Sequence, residues 1–387
     1  MIVTSTTTVT PPRLARDLST QVISDAAAFL DLRRHWNELL DTSVSRTPFL
    51  TWEWLDAWWA QLRGNALRYA ITVRSGSQLI AIAPLVMRPG RLALPPRLEF
   101  LGAGKAGADY LDLIVRANHE NEAIAEIART LDALQMPMWL DHLPPSALAE
   151  GLRPHLVSAG WSAMDSSPDV CPVVELKGHT WESYLGTLGA SHRANYRRRL
   201  RALTAKFDLR FEPVVADRDR QVALDALTQF HARRWQSEGQ SATFADPALE
   251  RFQDDFTRAA LDAGWLRLYI LWLNDVPAAV MYGFMGGDRF YFYQHGYHED
   301  YAKYGVGLVL MGLTIRAALE DGAAEFDMLY GHEPYKYLWA RAERRLGRLQ
   351  FFPPNSSGRL LRRHAETRQA LRSFVQHIGL KNRDDDV

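Results

Sequence analysis

Apolar residues recur at helical spacing from Asp25 to Leu40, with Phe29, Leu32, Trp36, Leu39 and Leu40 on one side, which predicts an amphipathic helix. A second helix is expected over Thr51–Leu62, with Thr51 as its N-cap and Trp52, Trp54, Trp58 and Trp59 as core. The period then changes to that of strands. Leu67–Arg74 and Leu79–Met87 are rich in Ile, Val and Ala and are joined by Ser75-Gly76-Ser77, which is hairpin chemistry. Short strands are expected at Arg97–Leu101 and Tyr110–Val115, a helix over Glu120–Leu134, a strand over Met138–His142 and a helix over Ser146–Ser158.

From about Val173 the order repeats. An arginine-dense helix spans Trp181–Phe207, followed by a strand at Leu209–Val215 and helices over Arg218–Gln236 and Pro247–Ala263. Trp265–Leu273 and Val276–Phe284 form a hairpin across Asn274-Asp275 and match the first-half pair at Leu67–Met87. An aromatic strand at Arg289–Gly296, a helix over Val306–Leu319 and a strand at Glu325–Leu329 come next. A short helix at Glu333–Ala340 and a last strand at Arg348–Phe352 complete the unit. Meander strands followed by strand, helix and strand describe an α/β fold with a mixed sheet, built twice. The expected organisation is a loose N-terminus over 1–20, units over 21–172 and 173–353, and a helix and tail over 354–387.

With 387 residues, 47% of them hydrophobic, the chain has material for two cores. Its 45 Lys and Arg balance 45 Asp and Glu, so no global field draws in a polyanion and DNA is not an expected partner. Any anion site must be local. Cys171 is the single cysteine, the N-terminal stretch has no secretion-signal pattern, and no segment reads as a transmembrane span. A cytoplasmic location is expected. The 12 histidines show no metal-ligand spacing, so no metal is expected.

Candidate chemistry concentrates in the second unit. Lys303, Tyr304, Gly305, Val306 and Gly307 open a helix, where unpaired N–H groups and the helix dipole favour phosphate, although the same residues also describe a tight turn. Residues 326–339 crowd Asp327, His332, Glu333, Lys336 and three tyrosines into a strand end and a Gly turn. There Tyr335 or Tyr337 can supply an acid and Lys336 can stabilise negative charge, or the tyrosines pack and Asp327 caps the turn. Arg193, Arg197 and Arg201 share a helical face by i, i+4 spacing, suited to a phosphate or an acidic substrate or else simply solvated. His231 and His295 are candidate general bases, and Arg234 a candidate substrate contact.

On PFLTWEWLDAWW (48–59), IAPLVMR (82–88), DYLDLIV (109–115), SHRANYRRRLRAL (191–203), FHARRW (230–235), the Gly305 loop and FDMLYGHEPYKYLWA (326–340), the chain resembles the CelD/BcsL-like acetyltransferases. That family is associated with cellulose and exopolysaccharide synthesis and belongs with the GNAT superfamily. Its layout is similar to that of Fem-type aminoacyl transferases. The resemblance implies two tandem GNAT units and an acetyl- or other acyl-coenzyme A donor. It implies a thioester carbonyl against Arg289–Gly296, a pyrophosphate over Tyr304–Gly307, and Tyr335 as the group that protonates the thiolate. A small-molecule or saccharide acceptor would supply the amine or hydroxyl. Ala302 stands where the GNAT loop carries Gln or Arg. Under the Fem-type alternative the donor is aminoacyl-tRNA, and a third reading is a non-catalytic partner built on degenerate units.

Overall fold

The computed structural model describes residues 17–90, 95–238 and 246–367. In chain order the first half contains β1 (Leu18–Ile23), α1 (Ala26–Asp31), α2 (Arg33–Asp41), α3 (Trp52–Leu62), β2 (Leu67–Arg68), β3 (Ala70–Ser75), β4 (Gln78–Ala83), β5 (Leu85–Arg88), β6 (Arg97–Phe100), β7 (Ile114–Val115), α4 (Glu120–Leu134), β8 (Met138–Leu143) and α5 (Leu152–Ser158). The second half adds β9 (Ser162–Glu175), α6 (Trp181–Thr187), α7 (Ala190–Lys206), β10 (Leu209–Pro213), α8 (Asp217–Glu238), α9 (Pro247–Asp262), β11 (Leu266–Leu273), β12 (Val276–Gly286), β13 (Arg289–Tyr297), α10 (Val306–Glu320), β14 (Glu325–Asp327) and β15 (Ala342–Phe352). Residues 356–367 are helical.

The mixed α/β fold expected from the sequence is present, with one sheet common to both halves. Eleven strands run in the order β10-β11-β12-β13-β14-β9-β15-β8-β6-β5-β2, and β1-β3-β4-β7 form a separate four-stranded sheet. Among the described strands two pairings are parallel, β6 with β8 and β13 with β14. Each encloses one long helix, α4 or α10, which is how the repeated unit shows itself in three dimensions. The expected boundary at 172/173 falls inside β9, which pairs with β15 along its length and with β14 at Val173–Glu175. The expected loose stretch over 1–20 overlaps β1, whose Leu18–Thr20 pair with β3. The rest of that stretch and the end of the tail lie outside the described residues.

Several expected elements are divided, for local reasons. The first hairpin is shared between the two sheets, because Pro84 has no N–H to give a ladder and separates β4 from β5. Tyr69 N instead donates to Leu85 O at 3.2 Å as β2 turns to pair with β5. The arginine-dense helix breaks at Leu188, whose ψ of 155° is extended, and α7 starts after Gly189. The expected helix at Glu333–Ala340 shrinks to a 3-10 turn at Lys336–Leu338. The second-half hairpin behaves as expected, since Asn274 and Asp275 both take positive φ (50° and 63°), the geometry of a tight two-residue turn.

The halves are packed together by aromatic residues. Thr51 caps α3 by accepting from Trp54 N, and the Trp54 ring, fully buried, meets Phe252 and Phe256 of α9 edge-on at 4.9 and 4.6 Å. It also contacts Phe284 of β12 and Tyr293 of β13. Truncation here leaves a cavity at the junction, so Trp54→Ala is expected to lower unfolding free energy by about 3–5 kcal/mol. A urea titration checks this, and a loss under about 1 kcal/mol would show that the site collapses around the change.

Candidate functional site

A cleft opens where the parallel pair of the second half comes apart. Arg289, Phe290 and Tyr291 of β13 lie beside Glu325, Phe326 and Asp327 of β14, after which β14 ends and β13 runs on to Tyr297. The ladder between β12 and β13 shifts register at Tyr282/Gly283, and such a bulge bends its strand and weakens onward pairing. Gly283 fits there because a Cβ would stand 2.5 Å from Tyr291 O. The resulting cleft has a volume of about 590 Å³ and is lined by α7, β13, the start of α10 and the segment after β14.

Four of the sequence-predicted residues line this cleft together: His295, Gly305, Gly307 and Tyr335. The His295 and Tyr335 rings lie 5.3 Å apart. Gly305 is the N-cap of α10 in the left-handed region (φ 74°), and no side chain caps that end. The helical ladder begins with Val309 N donating to Gly305 O, so the N–H groups of the first turn precede it. Val306 is buried beneath this turn. Lys303 and Tyr304 sit beside the cleft and not in its lining. Lys206 Nζ donates to the Tyr304 hydroxyl at 2.7 Å and holds that phenol below its ordinary pKa.

The other expected contacts are corrected by their surroundings. Lys336 is 3% exposed, and its ammonium donates to Leu329 O (3.2 Å) and Tyr330 O (2.8 Å) and pairs with Glu333 (3.1 Å). It therefore fixes the segment after β14 from beneath instead of meeting a substrate. Asp327 is fully buried and accepts from Tyr110 Oη (2.7 Å), Arg344 Nη1 (2.6 Å) and Leu329 N (2.9 Å). Burial pushes its carboxyl up while Arg344 and Tyr110 pull it back. Arg193 donates to the carbonyls of Leu185, Gly186 and Leu188 and closes the end of α6. Arg197 pairs with Glu182 on the exposed side. His231, on α8, is absent from the cleft lining, and the side chain of Arg234 lies outside the described residues.

The face of α7 that meets the cleft is His192, Asn195 and Arg199, an i, i+3, i+7 stripe that the arginine spacing hid. Tyr196 and Leu203 are the buried positions of α7, and this apolar pair, read as the anchor, would have fixed its rotation. Arg199 Nη1 donates to Lys303 O at 2.8 Å, and its stem covers Gly305. His192 packs edge-on against Trp339 at 4.6 Å, and burial, with Arg341 nearby, lowers its pKa. The cleft thus combines two histidines, a phenol, a guanidinium and the uncapped donors of a helix start.

Comparison with known proteins bears on the second half and on the fold. Residues 190–337 match the family described as "Acetyltransferase (GNAT) domain", so this part of the second half is similar to the acyltransferase domains of that family. The matched stretch runs from α7 to the tyrosines after β14 and contains the whole cleft lining except Leu338 and Trp339. Among solved structures, FemX aligns over 86% of this chain and 96% of its own with a TM-score of 0.61 at 9% identity. A conserved protein of unknown function from Bacteroides thetaiotaomicron VPI-5482 aligns over 86% and 99% with a TM-score of 0.51 at 10% identity. These likenesses are of fold. No curated protein matches the chain.

Replacing Arg344 by Met leaves the buried Asp327 without its cation, so R344M is expected to lose about 3–5 kcal/mol of stability. Tyr110→Phe removes one donor and is expected to cost about 1–2 kcal/mol. Urea unfolding of the two variants checks that order, and equal losses would mean that the cation contributes nothing beyond a hydrogen bond.

Proposed function

We propose that the chain is an acyltransferase that binds acyl-coenzyme A, acetyl-coenzyme A in the first instance, in the cleft between β13 and β14. It passes the acyl group directly to an amine or hydroxyl. The observation that carries this reading is the convergence of the uncapped N–H donors of Val306 and Gly307, at the start of α10, with His295 and Tyr335 on one cleft of about 590 Å³. Phosphates of the donor fit the helix start, where dipole and unpaired donors favour negative charge and Arg199 adds a cation. The acyl chain enters between the separated strands, so that the thioester carbonyl meets backbone donors of β13.

The nucleophile attacks that carbonyl, the C–S bond breaks, and the departing thiolate takes a proton from the Tyr335 phenol. No covalent enzyme intermediate is required. The sole cysteine, Cys171, is buried and its thiol pKa is pushed up by burial, so it does not serve as a nucleophile. By its resemblance to the CelD/BcsL-like proteins, the acceptor belongs to polysaccharide or cell-envelope synthesis.

Isothermal titration with acetyl-coenzyme A tests the donor. We expect micromolar binding that is lost in Gly305→Glu, which places a carboxylate at the phosphate position with its Cβ about 3.2 Å from the Arg199 stem. Absence of binding to the wild type would overturn the coenzyme A reading and turn the search to aminoacyl-tRNA, in keeping with Ala302 at the loop. For Tyr335→Phe we expect turnover reduced by about a hundredfold with donor affinity retained. Unchanged turnover would remove this tyrosine from proton transfer.

A further inference from the structure

The stripe of α7 that lines the cleft continues beyond it. Lys206, seven residues after Arg199, ends the helix on the same face, about 10 Å further along its axis. Phe207, the next residue, sets its ring against Tyr301 and Tyr304 at 5.8 and 5.2 Å. This pins the end of α7 to the 3-10 turn Glu299–Tyr304, which runs directly into Gly305. Two lysines meet there. Lys206 Nζ donates to the Tyr304 hydroxyl at 2.7 Å and stands 4.5 Å from the centre of that ring, while Lys303 Nζ stands 5.3 Å from it. Arg199 joins them from the cleft side through its bond to Lys303 O.

Among the described residues no carboxylate is paired with Lys206, Lys303 or Arg199. Earlier on α7 the arginines are taken up, Arg193 by carbonyls and Arg197 by Glu182. Asp208 and Asp300, close to the lysines in sequence, face other groups, Arg210 at 3.9 Å and His298 at 3.8 Å. Lysine heads at a surface ordinarily stand apart in water, so two of them gathered on one phenol carry a repulsion that an anion between them relieves. The phenol already responds to this field. The hydrogen bond from Lys206, and then the charges of both lysines, hold Tyr304 below its ordinary pKa.

Helix α7 gives the order of groups along the site. His192 touches Trp339, Arg199 covers Gly305 and Lys206 reaches Tyr304, so the lysines lie past the helix start, on the side away from the segment that carries Tyr335. Coenzyme A carries its own groups in that sequence: thioester and pantetheine arm, pyrophosphate, then a ribose with a 3′-phosphate.

We propose that Lys206 and Lys303, with Arg199, form a second phosphate site that holds the 3′-phosphate of coenzyme A, so that the chain takes its acyl group from free coenzyme A and not from pantetheine carried on a protein. This rests on the reading of the cleft given above. The helix start takes the pyrophosphate, and the lysines take the terminal phosphate monoester, whose oxygens accept charge-assisted hydrogen bonds from the ammonium groups. A carrier-bound arm ends in a single phosphodiester and leaves the lysines without an anion. No covalent bond changes at this site.

Isothermal titration of the full chain with coenzyme A and with 3′-dephospho-coenzyme A tests the proposal. We expect the wild type to bind coenzyme A about ten- to a hundredfold more tightly than the dephospho form, as loss of hydrogen bonds between charged groups implies. That preference should shrink as salt is raised. In the double variant Lys206→Gln/Lys303→Gln the preference should collapse while affinity for the dephospho form is kept, which also reports an intact fold. Equal wild-type affinities for the two forms, or a preference that survives in the double variant, overturn this proposal alone. A double variant that weakens both forms alike overturns it too. A wild type that binds neither form overturns the reading of the cleft, and this proposal with it.

Discussion

The buried contact between Asp327 and the pair Tyr110 and Arg344 is the constraint on which the remaining architecture turns. A fully buried carboxylate is tolerated only when its charge and lone pairs are met, and here the partners come from the first half and from β15. Asp327 is the last residue of β14, so the same contact fixes where the strand stops and where the cleft begins. One residue pair away, Asp109 holds Tyr330 N, which carries the fixation into the segment that ends at Tyr335. Glu325 and Arg289 extend the knot along the parallel pair, since Arg344 and Arg289 both bind Glu325 at 2.8 Å.

This explains why two units are fused through one sheet. The cleft depends on a strand pair that is joined at one end and open at the other. Separated strands leave unpaired backbone groups, and the segment after β14 would be loosely held without outside support. The first half supplies that support through polar contacts, and through Trp54 and Phe49, whose rings pack on β12 and β13. A rigid frame on one side of the cleft also limits the directions from which a ligand can approach.

Much of this order was legible in the chain. Glu120–Leu134 was bounded correctly because its periodicity is strong, and the Asn274-Asp275 turn because its chemistry is local. What escaped was long-range. No element is expected between Ser158 and Val173, where Pro168, Pro172 and several polar residues give no strand pattern, and β9 forms with β15 and β14 beside it. Residue type and position pick out the Gly305 loop, His295 and Tyr335, which the fold brings to one cleft. The rotation of α7 and the burial of Lys336 and Asp327 depend on what packs against them, so arginine spacing and charge density pointed to the wrong faces. The tyrosines and Lys336 share a motif, yet a single turn separates a cleft-lining phenol from a buried ammonium.

The central claim is that the opening between β13 and β14 is the donor site. Hydrogen–deuterium exchange of the full chain with and without saturating acetyl-coenzyme A tests it most directly. Slowed exchange is expected at the start of α10, in the last residues of β13 and around Tyr335, with little change in the β1-β3-β4-β7 sheet. Protection confined to the first half, or none at the start of α10, would contradict it.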